Sequence, residues 1–319
     1  MAVIDSLASV LPVLLLFTLG ALLSRRGLLH DGTIEDLRRL VLFVALPSAL
    51  FLTFLRVDVE PRYLLVVVPV FTACVVVLLL GPFIGRAIRV GNPLFPFLMT
   101  GFEAGMLGYA IFGSVYGVDE LYRFAIVDIG QVVFVFFVLV TALGRLSADR
   151  RRDRRSDLAQ TAVAFVRTPV ILAIAGGIVA SALGVGAALD GTAPGRAALA
   201  TLGFLAAMTT PLITLVIGAT TRISTRALGR PLVTVGVRMA LWVALALAFV
   251  GFVVGVLGLD PLFGAAILTM SVLPAPFVIP LYMPSGSAQK DHDYVVSVLS
   301  VGTVATLVAF PLVVAAFPA

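Results

Sequence analysis

Residues 268–284 read LTMSVLPAPFVIPLYMP, an apolar run deep enough to enter a membrane yet carrying prolines at 274, 276 and 280. Each proline lacks an amide donor and crowds the carbonyl four residues before it, so no helix passes through this stretch unbroken. In hydrocarbon, backbone groups freed in this way have to be buried in protein or line a water-filled cavity. The stretch therefore predicts a helix broken at membrane depth, a feature of solute-transporting bundles.

The surrounding composition agrees. Of 319 residues, 61% are hydrophobic and only 12% are charged, which excludes a water-soluble domain and leaves no room for extramembrane catalysis. Apolar runs near 6–24, 34–55, 63–87, 94–116, 119–144, 168–189, 197–220, 232–258, 260–283 and 291–317 predict ten membrane helices, the first of them retained rather than cleaved as a signal. The odd connections hold the basic residues: Arg25 and Arg26; Arg86 and Arg89; Arg145, Arg150, Arg151, Arg152, Arg154, Arg155 and Arg167; Arg222, Arg226 and Arg230; Lys290. The even ones are sparse, with Arg56 and Arg62 beside Asp58 and Glu60, then Arg123, then Arg196, and none before Asp260. By the positive-inside rule the odd loops face the cytoplasm, which predicts a multi-pass protein of the cell membrane with both termini outside.

The basic run RLSADRRRDRRSD at 145–157 splits the chain into residues 1–144, a cytoplasmic linker at 145–167 beside anionic lipid, and residues 168–319. Five helices per half turn the second half upside down relative to the first, so the expectation is two inverted five-helix repeats. ALPSALFLTF at 45–54 in the second helix resembles TTPLITLVIG at 209–218 in the seventh, its counterpart. The ninth helix has the fourth as its counterpart, and there LFPFLMTGFEAGMLGYAIFG at 94–113 carries Gly101, Gly105 and Gly108 around a glutamate. Those glycines suit either unwinding or a close-packed G-x-x-x-G face.

Several chemistries fall away. Cys74 stands alone in an apolar run, so no internal disulfide or cysteine metal cluster is available. His30 and His292 lie in different loops, and Lys290 has no phosphate-binding glycine frame ahead of it. GVGAAL at 184–189 lacks a third glycine and predicts close packing; Asp291, His292 and Asp293 read as a solvated helix start. No cofactor, metal or nucleic-acid partner is expected, and the net charge of +5 belongs to cytoplasmic loops.

Ionisable groups at membrane depth are costly and mark function or pairing. Glu103 lies about nine residues, or ~14 Å, into the fourth helix. Asp128 reaches a comparable depth in the fifth, DELYRFAIVDIGQVVF at 119–134, with Gln131 on the same face, so both carboxylates are expected around one cavity. Arg238 in the eighth helix either snorkels to the cytoplasmic surface or pairs with a carboxylate. The expected site comprises Glu103, Asp128, Gln131, Gly105, Gly108, Pro274, Pro276 and Pro280, with Glu103 carrying a proton or, alternatively, tied to Arg238 or to freed backbone amides.

At these residues the chain resembles the auxin efflux carrier family, within the larger group that includes bile-acid sodium symporters. The resemblance runs the whole length, through RRGLLHDGTIEDLRRLVLFVALPSALF at 25–51, TPVILAIAGGIVASALGV at 168–185, TPLITLVIGAT at 210–220, VLPAPFVIPLYM at 272–283 and VVSVLSVGTVATLVAFPLV at 295–313. It implies ten helices in two inverted repeats, broken fourth and ninth helices crossing at the substrate site, and transport of a small organic anion. The family's Asn-Thr-Gly run in the fourth helix is Glu103, Ala104, Gly105 here, with Gly108, Tyr109 and Ala110 where its proline would be expected. In the ninth, the polar amide that often follows the proline and small residues is missing from Pro274, Ala275, Pro276, Phe277. A carboxylate in that place repels an anion unless protonated, which implies proton coupling, or else a neutral or cationic cargo. The expectation is a secondary transporter working by alternating access, coupled to a proton ahead of sodium, not an enzyme. A non-transporting sensor on the same fold is the rival, and a homodimer is left open.

Overall fold

In a computed structural model the chain is all-helical in the residues it describes, which are 2–57, 60–144, 163, 165–221, 228–283 and 289–318. The linker arginines at 145–155, with Arg222 and Arg226, lie outside these residues. Six helices are long and apolar enough to cross a membrane among the described residues. They are α2 (Asp31–Leu55), α3 (Pro61–Ala87), α6 (Val118–Gly144), α9 (Ala193–Thr220), α10 (Gly229–Val256) and α13 (Gln289–Ala316). The helices α1 (Ala2–Arg25) and α7 (Pro169–Ala182) accompany them. Two further segments are interrupted: α4 (Phe95–Leu98) is separated from α5 (Ala104–Tyr116), and α11 (Pro261–Val272) from the 3-10 turn α12 (Ile279–Tyr282). At 1.5 Å per residue α5 and α11 are each about 20 Å long, short of the ~30 Å hydrocarbon core.

The surface has the inverted polarity of a membrane protein. Leu15, Leu79, Phe83, Phe204 and Val308 are exposed, while Arg238, Asp128, Gln131 and a series of threonines are buried. Lipid meets the apolar exterior, and Arg238, Asp128 and Gln131 find partners inside.

Local signals set several boundaries. Asp260 and Thr192 cap α11 and α9, accepting from the amides of Leu262 at 2.8 Å and Gly195 at 3.1 Å, each with a proline in the first turn. The sixth apolar run, expected to continue to 189, stops at Ala182, because Gly184 takes a left-handed conformation (φ 69°) before the short helix α8 (Val185–Asp190). A Cβ on Gly184 would meet nothing within 4 Å, so this glycine serves the turn, and the packing expected of the motif falls to Gly186, where a Cβ would lie 3.4 Å from Leu55 Cγ.

Packing divides the helices into two groups. α1 lies along the second half of α9, α7 along the second half of α2, and α2 also contacts α9, giving a four-helix panel. The panel is drawn tight by glycine: Gly20 and Gly218 bring the α1 and α9 backbones together at Leu215 and Phe17. On the other side, a Cβ on Gly177 would stand 2.8 Å from Phe54 Cβ. The remaining segments, α3, α4–α5, α6, α10, α11–α12 and α13, form a second bundle in which α3 packs on α6, α10 on α11 and α13, and α11 on α6.

Candidate functional site

The two interrupted segments cross inside the second bundle. Met99–Glu103 and Leu273–Val278 leave helical geometry, and the amide of Glu103 donates to the Pro274 carbonyl at 3.0 Å. Gly101 has φ 65°, and a Cβ there would lie 2.8 Å from Pro276 Cγ, so both the conformation and the crossing demand glycine. Pro274 and Pro276 are buried at the crossing.

Glu103 bridges the two segments. Its Oε1 accepts from the Met106 amide at 3.2 Å, capping the start of α5, and its Oε2 accepts from the Phe277 amide at 2.6 Å. The carboxylate is therefore held by one freed amide from each break. Charges acting on it from elsewhere are those of Arg38 on α2 and Asp128 on α6.

Arg238 does the converse on the carbonyl side. It is buried at 2% exposure on α10 and neither snorkels nor pairs with a carboxylate among the described residues. The arginine instead donates to the Leu98 carbonyl at 3.0 Å, to Gly101, to Leu273 at 3.3 and 3.4 Å and to Pro274 at 3.4 Å. The Phe102 ring lies 5.1 Å from the guanidinium. One turn on, Trp242 Nε1 donates to the Met99 carbonyl at 2.8 Å. Breaking two helices frees carbonyls that need donors, and these two α10 side chains supply them.

Asp128 and Gln131 are buried one step away. Gln131 Oε1 accepts from the Phe102 amide at 3.2 Å, and its Nε2 donates to Asp128 Oδ1 at 2.7 Å. Asp128 Oδ2 accepts from the Tyr109 hydroxyl at 3.0 Å. Asp128 thus reaches the crossing through Gln131, with both its oxygens engaged, and hydrogen-bonds to none of the groups that hold Glu103. Of the other expected residues, Gly105 faces open space, whereas a Cβ on Gly108 would press on Leu273 Cδ1 at 2.9 Å. Pro280 lies beyond the crossing, in α12.

Sequence reading missed Trp242, Tyr109 and Arg38. An arginine and a tryptophan four apart in an otherwise apolar helix is a detectable pattern of two donors on one face. Arg38 pairs with Glu35 at 3.5 Å, while its Nε is buried without a hydrogen-bond partner. Behind the crossing, Phe102 and Trp242 wall an apolar cavity of about 330 Å³ completed by Phe249, Phe252, Ile267 and Met270.

An uncharacterized transporter of Methanothermobacter thermautotrophicus is 26% identical to this chain over 321 residues, an alignment covering 98% of each protein. No family profile matches the chain. The end-to-end similarity, together with the apolar helices, supports a multi-pass membrane transporter in general.

Proposed function

We propose that this chain is a secondary active transporter of a small organic acid, in which a proton accompanies the substrate and Glu103 carries it. The observation that carries the reading is the Glu103 carboxylate held between the Met106 and Phe277 amides. Two freed amides facing one carboxylate make a site that a substrate carboxylate can also fill. While Glu103 is ionised it occupies that site itself. Once protonated it no longer needs both donors, and the amides become available to the substrate. Counted with Arg238, the empty site holds one positive and one negative charge, and so does the site with Glu103 neutral and a monocarboxylate bound. Exchange of one for the other avoids burying net charge at membrane depth.

The architecture behind this reading is ten membrane helices in two inverted repeats, residues 1–144 and 168–319 joined by the linker at 145–167. Packing supports it: exchanging the first segment with the sixth and the second with the seventh converts the α1–α9 contact into the α7–α2 contact. The loops repeat the relation. Asn92 Nδ2, between the third and fourth segments, donates to Asp291 at the start of the tenth at 2.9 Å. Arg123, entering the fifth, donates to Asp260, between the eighth and ninth, at 3.2 Å. Those two ties bind each end of the second bundle to itself, which favours movement of that bundle against the panel as the means of alternating access. Placement in the cell membrane with both termini outside follows from the basic residues of the odd loops. The substrate class follows from the sequence resemblance.

Uptake into proteoliposomes of a panel of labelled carboxylates and neutral analogues, at two pH values, tests the proposal. Carboxylate flux that grows with an inward proton gradient is expected. Binding without flux for every solute would turn the reading to a sensor, and flux confined to neutral analogues would remove the organic acid.

A further inference from the structure

The carbonyls of Leu98 and Gly101 from one broken segment and of Leu273 and Pro274 from the other converge on a single cation. Clustered backbone carbonyls at the ends of interrupted helices are the ligands with which proteins replace the hydration shell of an alkali ion. In this chain the cation is covalent. We infer that Arg238 is a tethered counter-ion occupying what would otherwise be a monovalent-cation site, so that the crossing closes without sodium and sodium does not drive transport.

Three features make the guanidinium a filler of this place and not a packed side chain that happens to be charged. Its donors are spent on carbonyls of both breaks, so it joins the two segments through their acceptors as Glu103 joins them through their donors. It has no carboxylate partner among the described residues, so the only negative charge it meets is that of carbonyl dipoles and of the Phe102 ring. It is also sealed from solvent at 2% exposure, where a mobile ion would have to be shed and recaptured in each cycle. A tethered cation removes that step, and it removes the sodium gradient as an energy source, leaving the proton on Glu103. Lysine would keep the charge but offers one point with three donors in place of a planar fork, too compact to serve both breaks.

The inference rests on the transporter reading only for its consequence for coupling; the site itself is tested by binding. Purified protein in detergent is assayed for ²²Na⁺ binding, and for thermal unfolding in sodium chloride against choline chloride at constant ionic strength. Wild type, Arg238→Ala and Arg238→Lys are compared. Wild type is expected to bind no ²²Na⁺ and to unfold at the same temperature in both salts. Arg238→Ala is expected to unfold at lower temperature and to recover saturably with millimolar sodium or methylguanidinium but not choline, by about 5 °C at 100 times the dissociation constant. Arg238→Lys, with its own charge in place, should show no sodium response. Saturable ²²Na⁺ binding by wild type would overturn the inference, as would a folded Arg238→Ala protein indifferent to both cations. If Arg238→Ala does not accumulate, wild type and Arg238→Lys decide: sodium binding by wild type overturns it, and its absence in both upholds it. Failure of wild type to move any solute would instead remove the transporter reading and leave these outcomes standing.

Discussion

The Glu103 carboxylate accepts a hydrogen bond at 2.6 Å from the backbone amide of Phe277, a residue 174 positions away on the other broken segment. The same carboxylate caps the start of its own half-helix at Met106. Glu103→Gln keeps the size of the side chain and an acceptor for one of the two amides, but cannot take up a proton. It should retain most of its thermal stability while losing pH-driven carboxylate flux by at least about tenfold, a magnitude typical of removing a positioned proton carrier. Uptake at two pH values beside a melting curve separates these effects. Glu103→Ala leaves both amides without their acceptor and should cost about 1–3 kcal/mol of stability as well.

Gly101 and Gly105 should respond oppositely to the same methyl group. Gly101→Ala forces a side chain into φ 65° and against Pro276, so the crossing opens and the melting temperature falls, by the equivalent of about 1–3 kcal/mol. Gly105 faces open space, and Gly105→Ala should be neutral or slightly stabilising. Equal effects at the two positions would mean that the crossing is not as tight as described.

How much of this was legible in sequence depends on whether the cause is local. Pro274 and Pro276 announce the break because a missing amide is a property of the residue, and Glu103 stands out because its depth can be counted along one helix. Gly101 could be flagged as a site of unwinding or of close packing, and it turns out to serve both, through its φ and its contact with Pro276. The partners of Arg238 were not legible. Its four carbonyl acceptors lie on two distant segments, and carbonyls carry no sequence signature. The same holds for Asp128, whose bonds to Tyr109 and Gln131 place it one hydrogen-bonded step from the crossing. In the GVGAAL motif the packing glycine is Gly186, against Leu55, while Gly184 serves a left-handed turn that cuts the sixth helix short, an angle the motif does not announce.

The ties at the two ends of the second bundle predict a rigid body. Disulfides replacing the Asn92–Asp291 contact, or the Arg123–Asp260 contact, through paired cysteine substitutions should leave transport within about twofold of the reduced protein. A cross-link between α1 of the panel and a facing position on α13 should abolish it reversibly, since α1 packs on α13 across the division. Full activity with the panel locked to the bundle would contradict movement between them.

Arg38 is the cation of the panel whose charge reaches Glu103, and its Nε lacks a hydrogen-bond partner. Arg38→Ala should raise KM for a carboxylate by about threefold, the loss of one screened charge acting at a distance, with little change in the melting temperature. Arg38→Lys should recover part of the loss. A drop in stability with unchanged KM would make Arg38 a helix-surface partner of Glu35 and nothing more.

Orientation is open to direct labelling with single cysteines placed in the cysteine-free background left by substituting the buried Cys74. A cysteine in place of Gln289 should react with membrane-impermeant reagent only from the cytoplasmic side, and one in place of Asp190 only from outside. The reverse pattern would invert the topology without altering the crossing.

The central claim, that a proton on Glu103 enters with the carboxylate, is tested most directly by following proton and carboxylate together. Proteoliposomes with a trapped pH indicator, clamped at zero membrane potential, are given a labelled monocarboxylate identified by the uptake panel. The account predicts internal acidification of one proton per carboxylate in the wild type, with no dependence on membrane potential when the clamp is released. In Glu103→Gln the acidification should vanish. Carboxylate entry without proton entry in the wild type, or equal proton entry in Glu103→Gln, would contradict it.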